Sequence, residues 1–227
     1  MKVARDIVKM FREQKGGVTK FLENNWEHEI AKCAHKHVPK HTPEVFGVVW
    51  ATDMEKFGMG METLDVPDLW FEDYPTIKED DHVVQLLRCL KQMHDVGIIH
   101  NDTRLGNVGF RDSVACFFDF GQSYVLPGSV ADRECPNAPH NQTHLWDCSF
   151  EEVKSRVLEA EPEDAFNYLR MANVCDLPGK EGDIIQLMME CSASNRAAKK
   201  MLHTIVSMKE NGCLSCEKVI NEYSGYQ

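Results

Sequence analysis

Asp102, Asn107 and Asp119 stand close together in the middle of the chain, on two stretches whose Gly, Asn and Asp content predicts loops. A carboxylate and an amide oxygen presented from two loops to one cleft are hard ligands of the kind a small divalent cation takes. A further carboxylate on one of those loops can orient a hydroxyl and accept its proton. Together these meet the needs of phosphoryl transfer, in which charge develops on the transferring oxygens and a metal bridges the phosphates. On this reading Asn107 and Asp119 hold Mg²⁺ and Asp102 is the base, while His100 packs and hydrogen-bonds to brace the loop.

The flanking sequence supplies elements to hold these loops. Val83, Val84, Leu86, Leu87, Leu90 and Met93 recur at helical spacing and end at Asp95-Val96-Gly97, which predicts a core helix with a glycine exit just before His100. Two short strands, Val108 to Phe110 and Val114 to Phe118, form a hairpin between Asn107 and Asp119. Earlier, Val18 to Phe21 has strand character, Asn25 to His37 has helical spacing closed by Pro39 and Pro43, and Val45 to Trp50 and Phe57 to Leu64 read as strands joined at Thr52-Asp53-Met54-Glu55. An acidic connector runs from Asp65 to Asp81. The remainder is helical: Ser149 with Glu152 makes a capping box, Asp183 caps a second helix, and Ala197 to Met208 is amphipathic.

Composition narrows the partners. The 227 residues carry 25 Lys plus Arg against 36 Asp plus Glu, a formal charge of -11 with no basic patch, which excludes nucleic acid as the expected partner. Apolar runs are short and interrupted by charge, so no membrane span or secretory signal is expected, and cytoplasm or nucleus is the expected compartment. Nine cysteines without an export signal argue for reduced thiols. Cys213 and Cys216 form a lone CxxC, and Cys33, His35, His37 and His41 crowd one stretch from which a zinc site can be drawn; without a second pair at finger spacing, plain thiols and a solvated His-rich helix end are the expectation.

The ordered pair His100-x-Asp102-x-x-x-x-Asn107 and Asp119-Phe120-Gly121, with a helix before and a hairpin between, resembles the protein kinase-like superfamily. The resemblance covers roughly residues 18 to 121. It implies that Arg104 is aimed at the γ-phosphate, that Lys20 contacts the α and β phosphates, and that Glu29, with Glu27 as substitute, is the lysine's acidic partner. It also implies that Met61 is the gatekeeper and that the backbone from Glu62 to Leu64 receives adenine, so that ATP and Mg²⁺ are the expected ligands.

Several parts of that family's pattern are altered. The residues ahead of Lys20 read as a helix, Val3 to Gln14, where a glycine-rich loop is expected. Asn101 replaces the arginine that docks a phosphorylated activation loop, Ala138-Pro139-His140 is a poor echo of A-P-E, and Asp147 beside Trp146 is a faint echo of the helix that anchors the catalytic loop. The expected fold is α+β: one two-lobed protein kinase-like domain over 1–227, with a reduced β-containing N-lobe to residue 64 and a mainly α-helical C-lobe over 65–227. The expected activity is Mg²⁺-dependent transfer from ATP to a hydroxyl, foremost Ser or Thr of a protein. A small-molecule kinase and an inactive pseudokinase that serves as a binding module are the alternatives.

Overall fold

A computed structural model of the protein describes residues 17–21, 26–51, 56–65, 77, 79–142, 150–151, 154–155, 179–192 and 195–224, with backbone alone for 17–21, 49–51, 56–57 and 224. It is a mixed α+β structure with small antiparallel sheets. The elements are β1 (Gly17–Phe21), α1 (Glu27–His37), β2 (Val45–Ala51), β3 (Lys56–Glu62), α2 (Asp80–Val96), β4 (Ile98–Ile99), a 3₁₀ turn (Leu105–Asn107), β5 (Val108–Arg111), β6 (Val114–Phe117), β7 (Tyr124–Val125), α3 (Val130–Glu134), α4 (Lys180–Ser192), α5 (Arg196–Glu210) and α6 (Cys216–Ser224). The predicted helix over Val3 to Gln14, the Ser149 and Glu152 capping box, most of the acidic connector, and Asp147 lie outside the described residues.

The first sheet has the order β1-β3-β2, all antiparallel, with Lys20 opposite Met59. Its middle strand ends where Glu62 N donates to Glu44 O at 2.9 Å, and the chain then pairs with the second sheet through mutual Asp65 and Phe110 backbone bonds of 2.9 Å. The two-stranded β5-β6 sheet turns at Asp112 and Ser113, whose φ values of 48° and 66° are both left-handed, as a two-residue hairpin of right-handed twist requires.

Helix α2 is the spine of the core. Val83, Leu86, Leu87, Leu90 and Met93 are fully buried on its inner face, and truncating any one of the leucines to Ala should cost about 2–5 kcal/mol. The helix stops because Gly97 adopts φ 90°, where a side chain is strained and where a Cβ would lie 2.2 Å from Ser129 Cβ. That close approach sets the cap of α2 against Ser129, whose own hydroxyl caps α3 by accepting from Asp132 N at 3.1 Å. At its other end α2 is tied to α5 and α6, since Asp80 Oδ1 accepts from Tyr223 OH at 2.7 Å and from Asn195 Nδ2 at 2.9 Å. Among the described residues no helix is long and apolar enough to cross a membrane.

Candidate active site

The loop between β4 and β5 carries Asp102 and Asn107, and the two are locked together. Asn107 Nδ2 donates to Asp102 Oδ2 at 2.7 Å and to Asp102 O at 2.9 Å, which leaves Asn107 Oδ1 as the atom that can meet a cation. Arg104, half exposed, sets its Nε 3.3 Å from Asp102 Oδ1. The hairpin then returns the chain to the same place. Val108 is opposite Phe117 in the ladder, and Phe118 N donates to Asn107 O at 3.0 Å, so Asp119 follows directly at the hairpin's open end. Asp119 holds φ at 64°, a left-handed conformation that non-glycine residues adopt at a cost, and its Oδ1 accepts from Gly121 N at 3.3 Å.

His100 is fully buried and spans the two motifs. Its Nε2 meets Phe118 O at 3.1 Å, and its ring lies 5.1 Å from that of Phe117 and 5.0 Å from that of Phe120. Asn101 takes φ 62°, which an Asn tolerates better than most residues, and Asn101 Nδ2 donates to Gln122 O at 3.1 Å.

What fixes this loop is helix α4, through residues that the sequence did not single out for this task. Asp183 Oδ2 accepts from His100 N at 3.0 Å and its Oδ1 from Asn101 N at 2.7 Å. Gln186 Oε1 accepts from Thr103 N at 2.7 Å, and Glu190 Oε2 from Leu105 N at 3.1 Å. The three acceptors are spaced three and four residues apart, hence on one face of the helix. Asp183 therefore does not act as the predicted helix cap: it lies inside α4's first turn, and its side chain is spent on the loop and on His94, whose Nε2 is 2.9 Å away with both groups buried. Asp147, the expected anchor, lies outside the described residues, while Asp183 demonstrably anchors. The legible signal was polar residues at helical spacing within the otherwise apolar run Ile184, Ile185, Leu187, Met188 and Met189.

On the sheet side, Met61 and Leu64 are both buried. The Glu62 carboxylate is gripped by Arg111, Nε to Oε1 at 2.6 Å with a second Arg111 bond to Oε2, and it also accepts from Glu44 N at 3.1 Å. Burial pushes the Glu62 carboxyl up, but the guanidinium and the Glu44 N–H outweigh that and hold it below its ordinary value. Of the two acids on α1, Glu29 Oε1 accepts from Asn137 Nδ2 at 2.7 Å, whereas Glu27 is completely buried. For Lys20 the backbone register alone is described. Comparison with protein-family models and with curated proteins finds no match, so the functional reading stands on this geometry.

Proposed function

We propose that the chain is a phosphotransferase of two-lobed, protein kinase-like architecture that moves the γ-phosphoryl of ATP to a hydroxyl, with Ser or Thr of a protein as the leading acceptor. The observation that carries this reading is the Asp102 to Asn107 lock, with Asp119 brought to the same end of the hairpin. Asn107 Oδ1 and the Asp119 carboxylate are hard oxygen donors and suit Mg²⁺, which when bound neutralises charge on the nucleotide phosphates.

The chain's own groups then have distinct tasks. Asp102 orients the incoming hydroxyl and takes its proton, its carboxylate aligned by Asn107 Nδ2. Arg104, the cation beside it, offsets charge in the transition state. Because Glu62 N is already bonded to Glu44 O, adenine would be met by the Glu62 carbonyl and the Leu64 backbone, with Met61 as gatekeeper. On this reading Glu29, with Glu27 as substitute, is the acidic partner of Lys20; Glu29 also accepts from Asn137 Nδ2 at 2.7 Å, and Glu27 is completely buried.

Thermal-shift titration with ATP and Mg²⁺ tests the nucleotide site, because a ligand bound only by the folded state raises its stability. The expected result is a metal-dependent shift in wild type that Asp119→Ala loses, and that Asp102→Ala keeps while losing phosphoryl transfer. Absence of any shift at millimolar ATP would return the chain to the class of non-enzymatic binding modules.

A further inference from the structure

The crowded stretch of α1 resolves into two pairs with different fates. His35 Nδ1 meets Thr42 O at 3.0 Å and His41 Nδ1 meets Ala115 O at 2.8 Å, so both are committed to backbone carbonyls. Cys33 and His37, four residues apart, share the face of α1 that meets the end of α3. There His37 Nε2 lies 3.2 Å from Glu134 Oε2, and Cys33 Sγ lies 3.5 Å from the same oxygen. All three donor atoms fall within 4.8 Å of one another. The other carboxylate oxygen, Oε1, is held by Lys36 Nζ at 2.7 Å, which orients Oε2 towards Cys33 and His37. The next residue, Cys135, is buried and carries a second free thiol on the same side as Cys33.

We propose that Cys33, His37 and Glu134, whose donor atoms already converge, form a zinc site that Cys135, the next residue, completes as fourth ligand, clasping α1 to the segment following Asp119-Phe120-Gly121. Two sulfurs, one imidazole nitrogen and one carboxylate oxygen make up a four-coordinate set, and soft thiolates select zinc over magnesium or calcium. Tetrahedral bonds of about 2.0–2.3 Å place neighbouring donors about 3.3–3.7 Å apart, close to the separations already present around Glu134 Oε2. Metal uptake would expel the two thiol protons to solvent, with no change of oxidation state. Lys36 on Oε1 supplies the outer hydrogen bond that orients a ligating carboxylate. With all four positions filled by protein, the site is structural. It stands independently of phosphoryl transfer, so either reading can fail without the other.

The test uses the full chain, reduced with a non-chelating phosphine, stripped of metal, and titrated with Zn²⁺ against a chromophoric chelator, with Co²⁺ as spectroscopic probe. The expected result is about one Zn²⁺ per chain, and a Co²⁺ form with tetrahedral d–d bands and a thiolate charge-transfer band. Cys33→Ser combined with Cys135→Ser should lose that charge-transfer band. Because Cys33 is buried, Glu134→Gln and His37→Gln, at partly exposed positions, provide variants that retain the fold by circular dichroism; each should weaken zinc binding at least about tenfold. Cys213→Ser should leave stoichiometry and affinity unchanged. Substoichiometric zinc in reduced wild type, a cobalt spectrum lacking thiolate charge transfer, or zinc affinity unmoved in the folded Glu134→Gln and His37→Gln variants would each overturn the assignment.

Discussion

Two corners of the molecule solve the same problem with opposite polarity. At the loop from His100 to Asn107, α4 presents three side-chain acceptors that collect four backbone N–H groups. At the connector between α1 and β2, one guanidinium collects backbone carbonyls: Arg111 Nη1 donates to Pro39 O at 3.0 Å and Nη2 to Thr42 O at 2.9 Å, while also holding Glu62. The loop's load is shared along a helix face, with the heaviest part on a buried aspartate. The connector is held by one partly exposed guanidinium, beside the His35 and His41 bonds to Thr42 O and Ala115 O. Damage should therefore scale with the number of acceptors or donors that each side chain serves and with its burial.

The largest effect is expected at Asp183. Replacing it with Ala strips two N–H groups of their acceptor and leaves His94 buried beside the vacancy, which should cost about 3–5 kcal/mol in urea unfolding. A loss no greater than that of Gln186→Ala would show the load to be evenly spread and break the comparison. Arg111→Met comes next, at about 2 kcal/mol, because a charged donor is lost from several acceptors at once in a half-buried site. Gln186→Ala should cost only about 1 kcal/mol, since its neighbours on α4 keep their bonds.

The smallest effect is a pH dependence confined to the connector corner. The Glu62 carboxyl sits below its ordinary value of 4.5, so its contribution to stability is complete above that value and is lost as pH falls through the depressed one. The stability difference between wild type and Glu62→Gln should therefore narrow as the pH is lowered from neutrality through about 4.5 and below. A gap that widens on acidification would contradict the assignment of Arg111 as the dominant partner.

Local pattern carried much of this structure. The helical spacing of Val83 to Met93 and its glycine stop, the strand pairs at 45–62 and 108–117, and the amphipathic run at 197–208 all emerge as elements near their predicted limits. The proximity of Asp102 and Asn107 follows from their sharing one short loop. Less legible were contacts whose partners lie far apart in the chain. Gln186 and Glu190 look like ordinary helix-surface residues until the loop is laid along their face, and Asp183 has the look of a cap because helix starts favour Asp for independent reasons. Strands as short as Ile98–Ile99 and Tyr124–Val125 carry too few residues for a periodic signal, and they exist because the two segments meet in register. Likewise nothing near Cys33 in sequence points to Glu134 and Cys135.

The grip of α4 on the loop has a consequence for how this site can change over time. Apart from the buried Thr103 hydroxyl, which donates to Asp183 O at 2.8 Å and Gln186 Oε1 at 3.2 Å, what Asp183, Gln186 and Glu190 recognise on the loop is the peptide group, which every residue other than proline offers alike. The curve of the loop is thus stored in the helix, and exposed loop positions are released from maintaining it. Gly106 illustrates this, for a Cβ there would meet nothing nearer than the Arg104 side chain at 3.9 Å. Substitution at 104 or 106 changes the side chains that the loop presents without reshaping its backbone, whereas substitution at 183 disturbs the whole loop.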